Sequence, residues 1–286
     1  MTILHTARGD FETIIEGPRD GPVALLLHGF PELNISWRHQ IPALAEAGYR
    51  VVAPNQRGYA GSVQDGSFAT ADLAADVVAM LDALDARTAV VVGHDWGGAV
   101  AWTVAALYPE RVRALVAMNC PPPRVLATAL VRSPRQLRRS WYMFFFQMPV
   151  LPERLVARSM PGVLRGGSHV RGAWTREDLA PYAEAFATPA DTRGPINWYR
   201  GALRSALRWP ERRATPIAVP VLIIWGTHDA FLGQDLVAPE ALRDSLAFPN
   251  EAQVVPIASA GHFVQNEAPE EVTGALLDWL ATTAPA

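Results

Sequence analysis

The chain contains no lysine: its strongly basic side chains, 25 in 286 residues, are all arginine. That excludes Schiff-base chemistry on a lysine and the lysine of a phosphate-binding P-loop. Cysteine occurs once, as Cys120, so no intramolecular disulfide and no cysteine-ligated zinc site can form, which fits a reducing compartment. Nothing near Cys120 marks an activated thiolate, and it reads as a small buried hydrophobe. Met1 to Asp10 lacks the basic stretch and apolar run of a signal peptide, and no apolar run reaches membrane-spanning length. The expectation is a cytoplasmic protein with no membrane partner. Net charge is −3, with charges scattered along the chain, which asks for no nucleic-acid partner. The densest basic stretch, Arg132, Arg135, Arg138 and Arg139, has the spacing of one solvated helix face. His5, His39, His169 and His228 form no metal-ligand pattern, so neither metal nor organic cofactor is expected.

What is present is enough apolar chain for a large core. Short aliphatic runs recur between Gly, Pro or polar residues: Val23–Leu27, Arg50–Ala53, Ala89–Gly93, Ala114–Asn119, Val221–Trp225 and Gln253–Ile257. Such runs predict strands buried on both faces of a parallel sheet. Helical patterns cover Ser36 to Ala47, Thr70 to Leu84, Gly97 to Tyr108 and Pro269 to Thr282. The alternation predicts an α/β fold with a doubly wound, mostly parallel sheet, and two extended segments before residue 17 add an antiparallel edge. It breaks after Pro121-Pro122-Pro123 and resumes near Pro216. We therefore read a core of residues 1–120 and 216–286 carrying an inserted, mostly helical cap over 121–215.

The sharpest motif is Gly93-His94-Asp95-Trp96-Gly97-Gly98, which follows a strand and opens a helix. Small residues around a strained strand-to-helix turn are the setting of the nucleophile elbow. Here the central residue is Asp, already ionised at neutral pH and suited to displacement at a saturated carbon. The bland alternative is a helix N-cap. Two further groups follow in the expected order. Asp229 comes after the penultimate buried strand and His262, in Gly261-His262-Phe263, after the last. His262 would act as base toward water and Asp229 would orient it, with Asp235 as a rival acid. His28-Gly29-Phe30 follows the first buried strand, so the backbone N–H groups of Phe30 and Trp96 would form an oxyanion hole. His28 and His94 read as structural.

These motifs, with Gln56-Arg57-Gly58-Tyr59 and Ser62, resemble the epoxide hydrolases of the α/β-hydrolase superfamily over the whole chain. The resemblance implies an enzyme that hydrolyses a small hydrophobic epoxide with water, through an ester on Asp95. It also implies a pair of ring-opening tyrosines: Tyr142 in Trp141-Tyr142-Met143 and Tyr199 in Asn197-Trp198-Tyr199-Arg200. A phenol can hydrogen-bond the epoxide oxygen and supply its proton. Trp96, Phe145 and Trp198 are expected to line the substrate pocket. Asn55-Gln56 stands where the family usually has Asp-Leu. Two alternatives stay open: a dehalogenase, which shares the Asp nucleophile but often has Asn where Phe30 stands, and a non-catalytic binding module. Oligomeric state and natural substrate are not readable.

Overall fold

The computed structural model describes residues 1–208, 217–243 and 252–286. Eight strands lie among them: β1 (Thr2–Thr6), β2 (Gly9–Glu16), β3 (Val23–Leu27), β4 (Arg50–Pro54), β5 (Ala89–His94), β6 (Val112–Met118), β7 (Val221–Gly226) and β8 (Gln253–Ile257). They form one sheet in the order β1-β2-β4-β3-β5-β6-β7-β8. β1 and β2 pair antiparallel at the edge, and the remaining strands run parallel. The six predicted runs all form strands and the antiparallel edge is there, but Gln253–Ile257, expected to be buried on both faces, is the outer strand of the sheet and only Ile257 is buried.

Side chains alternate across the sheet and separate the core into two faces. Leu25, Leu27, Val91, Leu115 and Ile223 pack on one face, and Leu26, Val90, Val92, Val116 and Ile224 on the other. α1 (Gln40–Glu46), α2 (Thr70–Ala83) and α3 (Asp95–Leu107) supply helices between the early strands. The pattern over Ser36 to Ala47 predicts one helix, but the chain makes a 3-10 turn at Asn34–Trp37 and starts α1 only at Gln40. Pro42 explains the late start, since a proline without an N–H fits the first helical turn and disrupts a later one.

Between β6 and β7 the described chain is helical: α4 (Pro123–Arg132), α5 (Pro134–Arg139), α6 (Trp141–Phe145), α7 (Leu151–Gly167), α8 (Arg176–Ala185) and α9 (Arg193–Arg208). The expected junction at residues 215 and 216 lies outside the described residues. α10 (Pro239–Leu242), α11 (Val264–Glu267) and α12 (Pro269–Thr283) complete the fold. The inserted helices are seated by specific polar contacts. The Trp198 indole donates to the Arg57 carbonyl at 2.9 Å, and Gln136 exchanges hydrogen bonds with the Phe231 carbonyl and the Gly233 N–H at 2.8 and 3.0 Å. Arg57 is itself buried and bonded bidentately to Asp76 of α2 at 2.6 and 2.8 Å.

The close approach of α3 to β3 depends on Gly97, where a Cβ would run into the Leu27 carbonyl oxygen. Backbone on both sides leaves no soft neighbour to yield. Gly97→Ala should therefore lower unfolding stability by about 2 kcal/mol, the cost of overpacking a closed site, read as a fall in the urea midpoint.

Candidate active site

Parallel strands end at one edge of the sheet, and the chemistry-bearing residues lie just past those ends. His28 and Gly29 follow β3, Asp95 follows β5, Asn119 follows β6, Asp229 follows β7 and His262 follows β8. The β3–β5 register, with Leu27 opposite Gly93, sets the His28 turn beside the Asp95 turn. Asp95 is the first residue of α3 and has φ +48°. This left-handed backbone is rare for a side chain larger than Gly. It projects the carboxylate away from both strand and helix. Gly29 must be glycine here, because a Cβ would meet the Asp95 side chain.

The Phe30 N–H donates to Asp95 Oδ1 at 2.9 Å. On the other side, His262 Nε2 lies 3.6 Å from Asp95 Oδ2, while its Nδ1 donates to Asp229 Oδ2 at 2.8 Å. The structure thus brings Asp95, His262 and Asp229 into one line. Asp229 is held by three further donors: the N–H groups of Phe231 and Leu232 at 2.7 and 3.0 Å, and the Asn119 carboxamide at 2.7 Å. Asp235 sits exposed in a 3-10 turn and takes no part. Asn119, which also brackets Gly226 through its Oδ1, escaped the sequence reading because a single Asn after a strand carries no signal.

Behind this line lies a second buried pair. His94 Nδ1 bonds Glu32 Oε2 at 2.6 Å and its Nε2 bonds the His262 carbonyl at 2.8 Å. Both ring nitrogens thus have a polar partner in the buried interior. Burial would raise the Glu32 pKa, but His94 outweighs it and holds the carboxyl below its usual range. Asp95 is treated alike: burial opposes ionisation, and His262, His94 and the Phe30 N–H together hold it ionised. For His262, burial favours the neutral ring, yet Asp229 and Asp95 prevail and push its pKa well above the ordinary value. His28 has no such partner. Its Nε2 accepts from the Gln56 N–H and its Nδ1 donates to the Gly29 carbonyl, and burial lowers its pKa to about 4. Gln56 also donates to the His28 carbonyl at 2.7 Å, which gives the Asn55-Gln56 variant a clear place: it braces the turn that carries Phe30.

Aromatic side chains roof this charged floor. Tyr199 of α9 stands edge-on to Trp96 at 4.9 Å, to Phe30 at 5.4 Å and to Tyr142 of α6 at 5.9 Å. Burial raises the pKa of both tyrosines well above 10, and the Asp95 charge adds to the effect, so both hold their protons. Trp198 closes the back, 5.8 Å from Trp96. Phe145 is not among the rings that meet the tyrosines. It packs on Trp141 and Phe146, each at 5.9 Å. Its neighbour Phe146 takes the expected place, 4.8 Å from Tyr199 and 5.4 Å from Phe30; two adjacent Phe residues on one short helix could not be told apart from sequence. Phe231, also missed, stands between Tyr142 and His262 at 5.7 and 4.9 Å. Trp96 follows Asp95 as the second residue of α3, and among the described residues its backbone N–H makes no hydrogen bond to that carboxylate.

A carboxylate at a strand-to-helix turn, a histidine–aspartate pair and two protonated phenols stand together at the sheet edge, and comparison with known proteins places the chain that carries them. The alpha/beta hydrolase fold family matches residues 22–269. The chain belongs to that family, in its epoxide hydrolase branch. It is 36% identical to Epoxide hydrolase A of Mycobacterium tuberculosis over 93% of both chains. It is also 36% identical to the AB hydrolase superfamily protein YfhM of Bacillus subtilis, over 92% of both. The crystal structure of Epoxide hydrolase A from Mycobacterium thermoresistibile superposes with a TM-score of 0.83 at 31% identity, covering 100% of this chain and 99% of that one.

In this α/β-hydrolase fold the loop carrying the histidine is clamped by one carboxylate that sequence reading passed over. Glu267 accepts from the N–H groups of Gly261 and Phe263, on either side of His262, at 3.1 and 3.0 Å. It also accepts from the N–H groups of His169 and Val170, in the segment after α7, at 2.7 and 2.9 Å. Glu267→Gln turns donors toward donors. Turnover should fall about tenfold as His262 loses its setting, and a denaturant melt should show a loss of about 1–3 kcal/mol. The buried His28 supplies a pH dependence. Its folded pKa lies below the unfolded 6.5, so the unfolded chain binds more protons as pH falls through that value. Stability should be full above pH 7 and drop by about 2 kcal/mol at pH 5 on this account. His28→Gln should flatten that part of the unfolding profile.

Proposed function

We propose that the chain converts epoxides to vicinal diols in two steps through an alkyl ester on Asp95, and that residues 121–215 act as the cap closing the site. In the first step an Asp95 oxygen attacks an epoxide carbon, the carbon–oxygen bond breaks, and Tyr142 or Tyr199 gives its proton to the leaving oxygen. Esterification removes the negative charge beside His262. One of the two carboxylates that raised its pKa is gone, and His262 releases a proton that returns the tyrosine from phenolate to phenol. His262 is then neutral and able to act as base.

In the second step His262 takes a proton from water, and the hydroxide attacks the ester carbonyl. The oxyanion forms where Asp95 Oδ1 meets the Phe30 N–H, with the Trp96 N–H as the second donor. Collapse expels the diol alkoxide, which takes the proton of the new carboxylic acid. Asp95 is again ionised and His262 again charged. Trp96, Trp198 and Phe146 provide an apolar wall suited to aryl or alkyl epoxides. The observation that carries this reading is the pair of protonated tyrosines set on cap helices and feeling the Asp95 charge. Ester hydrolysis alone has no need of them.

The test is diol formation from styrene oxide, with bromide release from a bromoalkane measured alongside. Wild type should give diol with negligible bromide, and Asp95→Ala should give neither. His262→Gln should accumulate protein heavier by the mass of one epoxide. Tyr142→Phe and Tyr199→Phe should each slow ester formation about 100-fold, within the usual worth of a positioned acid. Bromide without diol would assign the chain to dehalogenation and leave the tyrosines as packing residues.

A further inference from the structure

The charge of this chain is segregated in a way its total conceals. Residues 121–208 carry fourteen arginines and five carboxylates, a net of +9, while the rest of the chain has a net of −12. Between residues 121 and 176 there are ten arginines and a single carboxylate, Glu153. Glu153 is buried and already paired with Arg200 at 2.7 Å. Arg132, Arg135, Arg138 and Arg154 are exposed and form no ion pair among the described residues. The four arginines expected on one helix face are divided, because Ser133 and Pro134 start a new helix: Arg132 ends α4, Arg135, Arg138 and Arg139 lie on α5, and Arg139 is half-buried.

The same segment exposes apolar groups. Nine of the eleven exposed large hydrophobic side chains among the described residues lie between Val131 and Leu203. Leu137 lies on α5, Trp141 and Phe144 three residues apart on one face of α6, and Met148 in the turn after it, and all four are exposed. Trp141 is 63% exposed and Phe144 52%. Val150, Leu151 and Leu155 extend the surface onto α7, also exposed. Tyr142 shares α6 with Trp141 and Phe144 but points inward to Tyr199 and Phe231.

We propose that this face of the cap docks peripherally on an anionic lipid bilayer, with Trp141, Phe144, Leu137 and Met148 entering the headgroup boundary and the flanking arginines meeting lipid phosphates. An exposed apolar surface with aromatic residues, carried on helices that also bear exposed arginines, is the composition of an interfacial helix. No helix among the described residues is long and apolar enough to cross a membrane, so the contact is with the surface alone. This revises the sequence expectation that excluded a membrane partner. A second copy fits less well, because a two-fold contact through this face would set its arginines against their own images. Docking brings the roof of the site to the phase where hydrophobic epoxides collect; that consequence, unlike the docking itself, rests on the epoxide reading.

The experiment is flotation of the full-length protein with phosphatidylglycerol vesicles and with phosphatidylcholine vesicles, at about 0.1 M and about 0.5 M salt. Wild type should float with phosphatidylglycerol, bind phosphatidylcholine at least about tenfold more weakly, and be released by the higher salt. Two double variants, Arg135→Glu with Arg138→Glu and Phe144→Ser with Met148→Ser, should each weaken flotation about tenfold. Their turnover of a water-soluble epoxide and their melting midpoints should stay at wild-type values. Absence of flotation, or equal flotation of wild type and variants, overturns the proposal. So does a dimer on size exclusion that the same variants dissolve, since a second copy then covers the face. Flotation by a wild type that turns over no epoxide would support the docking while overturning the catalytic reading.

Discussion

The site depends on one strained turn, the left-handed backbone at Asp95 where β5 passes into α3. A carboxylate on the strand would point into the core or a neighbouring layer, and one on the helix would point back over its own first turn. The turn frees it from both. The surrounding glycines follow from the same constraint: Gly97 lets α3 lie against β3, and Gly29 leaves room for the carboxylate itself. Phe30 can then donate to Asp95 from a neighbouring turn, because β3 and β5 end together.

Burial makes charge balance the second constraint. Glu32 bonds His94, and Asp95 and Asp229 flank His262, so each of these carboxylates faces an imidazole ring. An isolated buried ion would cost several kcal/mol, whereas here each one is opposed by its neighbours and by backbone donors. The arrangement also makes His262 responsive. Its proton is held by two carboxylates, so any reaction that neutralises Asp95 loosens it. His28, lacking a carboxylate partner, stays neutral in the same surroundings; the difference lies in the partners and not in the residue.

The strand runs, the antiparallel edge, the helical insertion and the Asp95–Asp229–His262 order were legible because each leaves a local mark: a run of branched aliphatics, a cluster of glycines, a position just after a strand. The tyrosines came from motifs around them. Residues that act through a backbone group or a single long-range bond left no such mark. Asn119 reaches Asp229, and Phe231 reaches Tyr142 and His262, from distant parts of the chain, Glu267 acts through backbone N–H groups beside His262, and a lone Asn, Glu or Phe has the same appearance at any surface loop. Phe145 was preferred to Phe146 for want of a helix phase, which a five-residue helix cannot provide from sequence.

By itself the sequence determined the class of fold and the presence of a carboxylate at the strand-to-helix turn, since hydrophobic period and residue type are local properties. Only the tertiary structure decided which charges are paired, which backbone donors meet each carboxylate and which apolar side chains of the inserted helices are left exposed. Those are properties of distance and burial, which no local run of residues records.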